Sequence, residues 1–296
     1  MISISKNEKW LKLKKENFTE NIKVYYYGNF DKDLVQEVIH CLMDKDLDKG
    51  SMEFVKGGKG RQVFKLAVND KKYYIKKYFY RKISKRIKNL FRSAEALRAL
   101  KVSLRLLRSG VPVVQPVLAV VYRRDFWTVD SLFVTEDFQG IDLQSYLADG
   151  NYDQDIKSLI IKETARLWAQ FYKNNFINGD PNLGSILIKF TQGDFKLSLV
   201  DVDNTRHLLS LPERMVIKNL IEFNAHSYSG LDRIGKQKLS FEDRIIFMKE
   251  FILSYERKIN FEKAAKYIGR KTVGRLLQWG KRELVNKDEG LRMIRL

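Results

Sequence analysis

The spacing of hydrophobic positions changes partway along the chain. In residues 51–80, SMEFVKGGKGRQVFKLAVNDKKYYIKKYFY, apolar and polar residues alternate in three runs. The runs are separated by Lys56-Gly57-Gly58-Lys59-Gly60 and by Asn69-Asp70, which predicts strand, glycine turn, strand, Asn-Asp turn, strand. Before them, KVYYYGN (23–29) is strand-like and residues 31–44 suit a short helix. Past residue 92 the period becomes helical. Leu97, Leu100, Leu104 and Leu107 fall on one face, with Arg98, Lys101, Arg105 and Arg108 largely off it, and Ser109-Gly110 ends the helix. Strands near 117–123 and 127–135 follow, joined by Arg123-Arg124-Asp125. After Gly140 helical stripes dominate: Ile161, Ala165, Trp168 and Tyr172, then Phe241, Ile245, Met248, Ile252 and Tyr255. This order predicts an α+β chain in two lobes with a cleft between them. Residues 1–50 form an extension packed on an N-lobe, residues 51–136, built of antiparallel sheet with one main helix. Residues 137–296 form a mostly helical C-lobe containing a small hairpin.

Composition narrows the class. With 296 residues, 44% hydrophobic and 31% charged, the chain is globular and long enough to bury a large core. One cysteine, Cys41, permits no internal disulfide. The start, MISISKNEKWLKLKK, lacks the apolar stretch of a signal peptide, and no apolar run approaches the roughly 20 residues that span a bilayer. The expectation is a soluble intracellular protein, or one attached peripherally to a membrane.

Charge adds a partner. The net charge is +19, and between Lys71 and Arg108 fourteen Lys and Arg residues face one acid, Glu95. A solvated surface intersperses both signs, so this block predicts a patch for polyanions: anionic lipid headgroups, phosphorylated sugars or nucleic acid.

The chemistry sits in NGDPNLGSILIKF (178–190) and LSLVDVDNTR (197–206). Asp180 lies in a loop after a helix and Asp201 after a short strand. Phosphoryl transfer from a nucleotide needs such a pair, one carboxylate to position and deprotonate the acceptor hydroxyl and one to hold the metal on the phosphates. An Asp beside Gly is ordinarily a turn, so the two loops count only together. Gly57, Gly58 and Gly60 could let backbone N–H groups approach phosphate oxygens, although a plain hairpin turn uses the same residues. Lys76, after Ile75 in the third strand, stands where a strand lysine grips the phosphates, and Lys77 points to the opposite sheet face. Glu95, the one acid between Asp70 and Asp125, is the candidate partner for that lysine, a position equally suited to a helix dipole. His40, His207 and His226 are scattered without metal-ligand spacing, which reads them as ordinary surface or core residues.

Taken with LLRSGVPVVQPVLAV, LFVTEDFQGIDL, FINGDPNLGSILI and LVDVDNTR, the YYIKKYFYRK strand resembles the protein-kinase-like fold. More narrowly it resembles the bacterial lipopolysaccharide kinase family (Kdo and heptose kinases, InaA-like proteins), over roughly residues 52–256. The resemblance implies ATP as donor, Mg²⁺ as cofactor and a sugar hydroxyl of the lipid A–inner core as acceptor. It implies a cytoplasmic protein, peripheral on the inner face of the bacterial inner membrane, with an anionic lipid-linked sugar as substrate. By matched position Asp180 is the catalytic-loop aspartate, Asp201 the metal aspartate, Asp203 a second acid and Lys76 the phosphate lysine. Thr135–Phe138, including Glu136 and Phe138, is the hinge that meets adenine. Two positions depart from the pattern. Asn178 replaces the usual His two before the catalytic Asp, and Ser185 replaces the metal-binding Asn five after it, with Asn182 a possible substitute ligand. These departures leave open a pseudokinase or binding protein on the same fold, and the basic block leaves open an RNA-associated, RIO-like kinase.

Overall fold

The computed structural model describes residues 12–43, 52–58, 60–79, 92–125, 128–150, 152–234, 239–256 and 260–295. The chain divides into two compact units, Met1–Phe138 and Gln139–Leu296.

The first unit is an antiparallel sheet whose described strands run in the order β1-β2-β6-β7-β5-β4-β3. These are β1 (Lys14–Asn17), β2 (Ile22–Tyr26), β3 (Met52–Gly58), β4 (Arg61–Val68), β5 (Lys71–Tyr78), β6 (Pro116–Arg123) and β7 (Val129–Glu136). The period-2 pattern sorts side chains onto two apolar faces, and each has its own cover. Phe64, Leu66, Tyr73, Ile75, Val120 and Val134 pack with Leu34, Val35, Val38 and Ile39 of helix α1 (Lys32–Met43). Tyr78, Ala119 and Phe133 pack with Ala96, Ala99, Leu100 and Leu104 of α2 (Glu95–Arg108). The short helix foreseen at 31–44 is therefore the lid of the second sheet face, and residues 12–43 are integral to this unit. At the β4–β5 turn, Asn69 and Asp70 both adopt positive φ (48° and 61°), as a tight hairpin with the strands' own twist requires. Ser109-Gly110 ends α2 as expected: Gly110 has φ +70°, and the Gly110 and Val111 N–H groups return to the Leu107 and Leu106 carbonyls.

The second unit opens with β8 (Ile141–Asp142) and helices α3 (Leu143–Asp149) and α4 (Gln154–Lys173). Next come the loop-bearing strands β9 (Phe176–Asn178), β10 (Ile186–Thr191), β11 (Asp194–Leu199) and β12 (Thr205–His207). It closes with α5 (Glu213–Arg233), α6 (Phe241–Tyr255), α7 (Phe261–Gln278), α8 (Arg282–Lys287) and α9 (Glu289–Arg295). Ile161, Ala165, Trp168 and Tyr172 are all buried, as the stripe on α4 predicted. On α6 the predicted stripe is buried at Met248 and Tyr255 but not at its start. Phe241 is 39% exposed, whereas Phe251 and Asp243 turn inward, Asp243 forming a buried ion pair with Lys157 of α4. Arg244 is half-buried beside it, stacked 3.3 Å from the Tyr228 ring centroid and donating to Asn224 Oδ1 and Ser227 Oγ. Burial pushes its pKa below the ordinary arginine value. The inward Asp243, paired with Lys157, explains why an apolar stripe alone misjudged the start of the helix. Among the described residues no helix is long and apolar enough to cross a membrane.

Candidate active site

The acidic loops of the second unit are stitched together at both ends by main-chain hydrogen bonds. At one end β9 pairs antiparallel with β12, Asn178 opposite Thr205, and Gly179 N–H donates to Asn204 O at 3.0 Å. At the other, Ile186 of β10 lies opposite Leu199 of β11, and Val200 N–H donates to Ser185 O at 2.8 Å. The loop of Asp180 and Asn182 is thus tied at both ends to the loop of Asp201 and Asp203 by main-chain hydrogen bonds. Asp180 and Asp201 are both exposed. Asp201 adopts a left-handed conformation, φ 62° and ψ 42°, uncommon for a residue with a side chain and tolerated best by Asp and Asn. Strain of this sort clusters where a side chain must be aimed.

Asn178 shows what its replacement of histidine does. It is buried, and its Oδ1 accepts the Asp180 N–H at 3.0 Å. Its carbonyl accepts from Asn219 Nδ2 of α5 at 2.6 Å, and Asn219 Oδ1 accepts from the Tyr172 hydroxyl of α4 at 2.9 Å. Full burial holds the Tyr172 pKa well above the free phenol value, so it remains a neutral donor. This relay of neutral groups locks the loop beneath Asp180. Asn219 and Tyr172 carry no sequence signal for the role, because each reads as one more helix residue.

The remaining loop residues divide the work. Asn182 Nδ2 donates to Asp180 O at 3.0 Å, which leaves its Oδ1 as the outward acceptor. Ser185, buried, donates its hydroxyl to Asn182 O at 2.7 Å, leaving only lone pairs to offer a ligand. With Asp201 and Asp203 the donor set is carboxylate, amide and hydroxyl oxygen, the hard ligands that suit Mg²⁺. Among the described residues no cluster of three or more His, Cys, Asp or Glu side chains forms a metal cage. A magnesium site that relies on nucleotide phosphates for part of its shell needs no such cage.

One residue joins the site unannounced by its sequence context. His226 of α5 brings Nε2 to 3.5 Å from Asp180 Oδ1. Its ring packs on Trp279 with centroids 4.7 Å apart. The isolated histidine read as ordinary is in contact with the catalytic candidate, and only tertiary packing reveals it.

In the first unit Lys76 lies opposite Phe133 and Val63, so it shares the sheet face covered by α2, while Lys77 faces the α1 side. Its Nζ sits 5.6 Å from the Tyr78 ring centroid. Tyr78 lies opposite Ser131, whose Oγ accepts the Ala96 N–H at the start of α2. Lys76 and the first turn of α2, where Glu95 stands, therefore occupy one neighbourhood. Glu95 itself pairs with Arg98 at 3.5 Å.

The glycine turn is a hairpin between β3 and β4, with Gly57 opposite Gln62 and Gly58 opposite Arg61. Gly60 has φ +96°, and a Cβ there would stand 3.0 Å from Phe79 O, so glycine is required on two counts. Around Gly58 a Cβ would find nothing within 4 Å, an open backbone that an anion can approach. Lys59 lies outside the described residues. Thr135 to Phe138 close the first unit. Glu136 N–H donates to Gln115 O, and Asp137 N–H to Lys72 O. Gln115 in turn donates from Nε2 to the Tyr27 hydroxyl, whose pKa is pushed up to about 12 by burial and the nearby Glu136 charge. The aromatic N-terminal strand thus buttresses the hinge candidate, with Glu136 exposed and Phe138 half-buried.

An antiparallel sheet with a lysine strand facing one helix, followed by a helical unit carrying two clamped acidic loops, is the architecture of the protein-kinase-like fold. The lipopolysaccharide kinase (Kdo/WaaP) family matches residues 48–249, more than half of the chain. The chain belongs to that family and is a kinase of lipopolysaccharide sugars. Its fold is similar to a solved structure described as "WaaP in complex with acyl carrier protein", with a TM-score of 0.53 and 18% identity. That similarity covers 79% of this chain and 88% of the other. No curated protein matches it in sequence.

Proposed function

We propose that the protein transfers the γ-phosphoryl group of ATP, with Mg²⁺, to a hydroxyl of a Kdo or heptose residue in the lipid A–inner core. The observation that carries this reading is the double clamp between residues 178–186 and 199–205, which ties the loops of Asp180 and Asp201 together while both residues stay exposed. Asp180 accepts the proton of the acceptor hydroxyl as its oxygen bonds to phosphorus and the bond to ADP breaks. Lys76 holds donor phosphates, with Glu95 at the head of α2 as its acidic partner. Glu136 and Phe138 border the adenine, and the glycine turn of Gly57, Gly58 and Gly60 meets phosphate oxygens, most openly at Gly58. Asp201, Asp203, Asn182 and Ser185 would hold Mg²⁺, which supplies positive charge against the phosphates. Asp201→Asn is expected to lower Mg-ATP affinity by at least roughly tenfold, the loss known even for residues that only orient a metal ligand. Calorimetry with and without Mg²⁺ checks it, and unchanged affinity would remove Asp201 from the metal site.

The substrate is lipid-linked, and the basic block favours a cytoplasmic protein docked on the anionic inner face of the inner membrane. Lys82, Lys85, Arg86 and Lys88 of that block lie outside the described residues, and their charge is what supports docking. Each basic residue near such a surface contributes about 1 kcal/mol, so reversing these four should release the protein from anionic vesicles. Vesicle sedimentation decides it; undiminished binding of the reversed variant would sink the membrane reading.

A further inference from the structure

Helix α7 carries a surface that the phosphotransfer machinery does not use. Tyr267, Lys271, Arg275 and Trp279 recur every fourth residue, so they follow one another along one side of the helix. Each cation lies on a neighbouring ring: Lys271 Nζ is 5.6 Å from the Tyr267 centroid, and Arg275 Cζ is 5.2 Å from that of Trp279. Tyr267 is 51% exposed. On the same side Gly274 has nothing within 4 Å of where a Cβ would stand, so the row has a bare backbone floor in its middle. Gly costs a helix interior about 1 kcal/mol relative to Ala, and no close packing here compensates that cost.

The row leads to the catalytic candidate. Trp279 follows the last turn of α7 and is fixed by the helix ending. Its N–H returns to Arg275 and Leu276, Gly280 has φ +74°, and Lys281 N–H returns to Leu276 O. Its ring meets His226, and His226 meets Asp180. Arg275 is oriented from the other side by Glu222 of α5, which accepts from Nε at 3.0 Å. Two aromatic rings flanking two cations fit one ligand chemistry well. The rings take the C–H faces of pyranose sugars, and the cations take phosphate or carboxylate groups on them.

We propose that the α7 row, from Tyr267 to Trp279, is the acceptor site, binding a phosphorylated or carboxylated oligosaccharide whose reactive hydroxyl reaches Asp180 past His226. This deepens the kinase reading and rests on it for the role of Asp180. His226 and Trp279 are then positioning residues, since they orient the acceptor and the carboxylate rather than exchange a proton.

The test measures binding and turnover separately. The probe is the deacylated, phosphorylated inner-core oligosaccharide, titrated calorimetrically into the full-length protein, with ATP transfer assayed in parallel. Trp279→Leu is expected to weaken oligosaccharide binding at least tenfold and to raise the acceptor KM while the ATP KM stays unchanged. Gly274→Leu guards against a folding artefact: it fills the bare floor, gains helix propensity and should keep or raise the melting temperature while weakening binding similarly. Lys271→Glu should weaken it further at low salt than at high salt. Oligosaccharide binding by the wild type that these variants lose supports the site, even if no transfer occurs, in which case the kinase reading alone fails. Equal binding by wild type and Gly274→Leu, no binding by the wild type, or loss of RNA rather than oligosaccharide binding overturns the proposal.

Discussion

Asp180→Ala is expected to lower the rate of phosphoryl transfer by about 10²–10⁴-fold, the usual contribution of a positioned general base, while Mg-ATP binding persists. The substitution is a clean one. The Asp180 side chain is 55% exposed, and its ion-pair contact is His226 at 3.5 Å. The loop below is held by Asn178 Oδ1 on the Asp180 N–H, by Asn219 and by the paired strands, all of which survive loss of the carboxylate. Alanine should therefore remove the base without collapsing the loop, and Asp180→Asn should be nearly as inactive because an amide cannot take the proton. Steady-state turnover with ATP and a lipid A–core acceptor, beside nucleotide affinity by calorimetry, makes the comparison. Turnover within tenfold of the wild type would take Asp180 out of the catalytic role.

Lys157→Met is expected to destabilise the second unit by about 3–5 kcal/mol, because it strands the buried Asp243 carboxylate. The pair joins α4 to α6 at 2.5 Å, with side-chain exposures of 8% and 11%. Asp243 also closes the capping box at the start of α6, accepting Ser240 N–H while Ser240 Oγ accepts its own. For a unit of this size each kcal/mol is worth roughly 2–4 °C, so the melting temperature should fall by about 10 °C. The double variant Lys157→Met/Asp243→Asn should recover most of the loss. Neither member of the pair is then charged, and asparagine keeps an oxygen for the Ser240 N–H. A melting temperature for Lys157→Met within about 2 °C of the wild type would show that the pair contributes little.

Much of the first unit could be read from the chain. The runs around Gly57–Gly60 and Asn69-Asp70 became β3, β4 and β5, and Ser109-Gly110 became the end of α2. Strand alternation and turn chemistry are local properties, written in neighbouring residues. The stretches that escaped had no local pattern to show. Strand β1, Lys14–Asn17, is exposed along its whole length and owes its strand geometry to pairing with β2. The three-residue strands β9 and β12 are too short for periodicity, yet they form one of the two clamps on the acidic loops.

The site divides along the same line. The acidic loops and the strand lysine announce themselves by residue type at characteristic spacing, and with them came the kinase class, the family and the candidate roles of Asp180, Asp201 and Lys76. Sequence also favoured Lys76 over Lys77, because Lys76 directly follows the apolar Ile75 in the expected register, and alternation along the strand sends Lys77 to the opposite face. Tertiary structure alone decided that Asn178 would lock the loop through Asn219 and Tyr172, and that Asp243 would turn into the core to meet Lys157. It alone brought His226 against Asp180 and Trp279 against His226. The physical reason is the range of the interactions. Periodicity and turns depend on bonds within a few residues, whereas these contacts join residues 41 to 86 positions apart or lie on helices whose rotation is set by packing against one another.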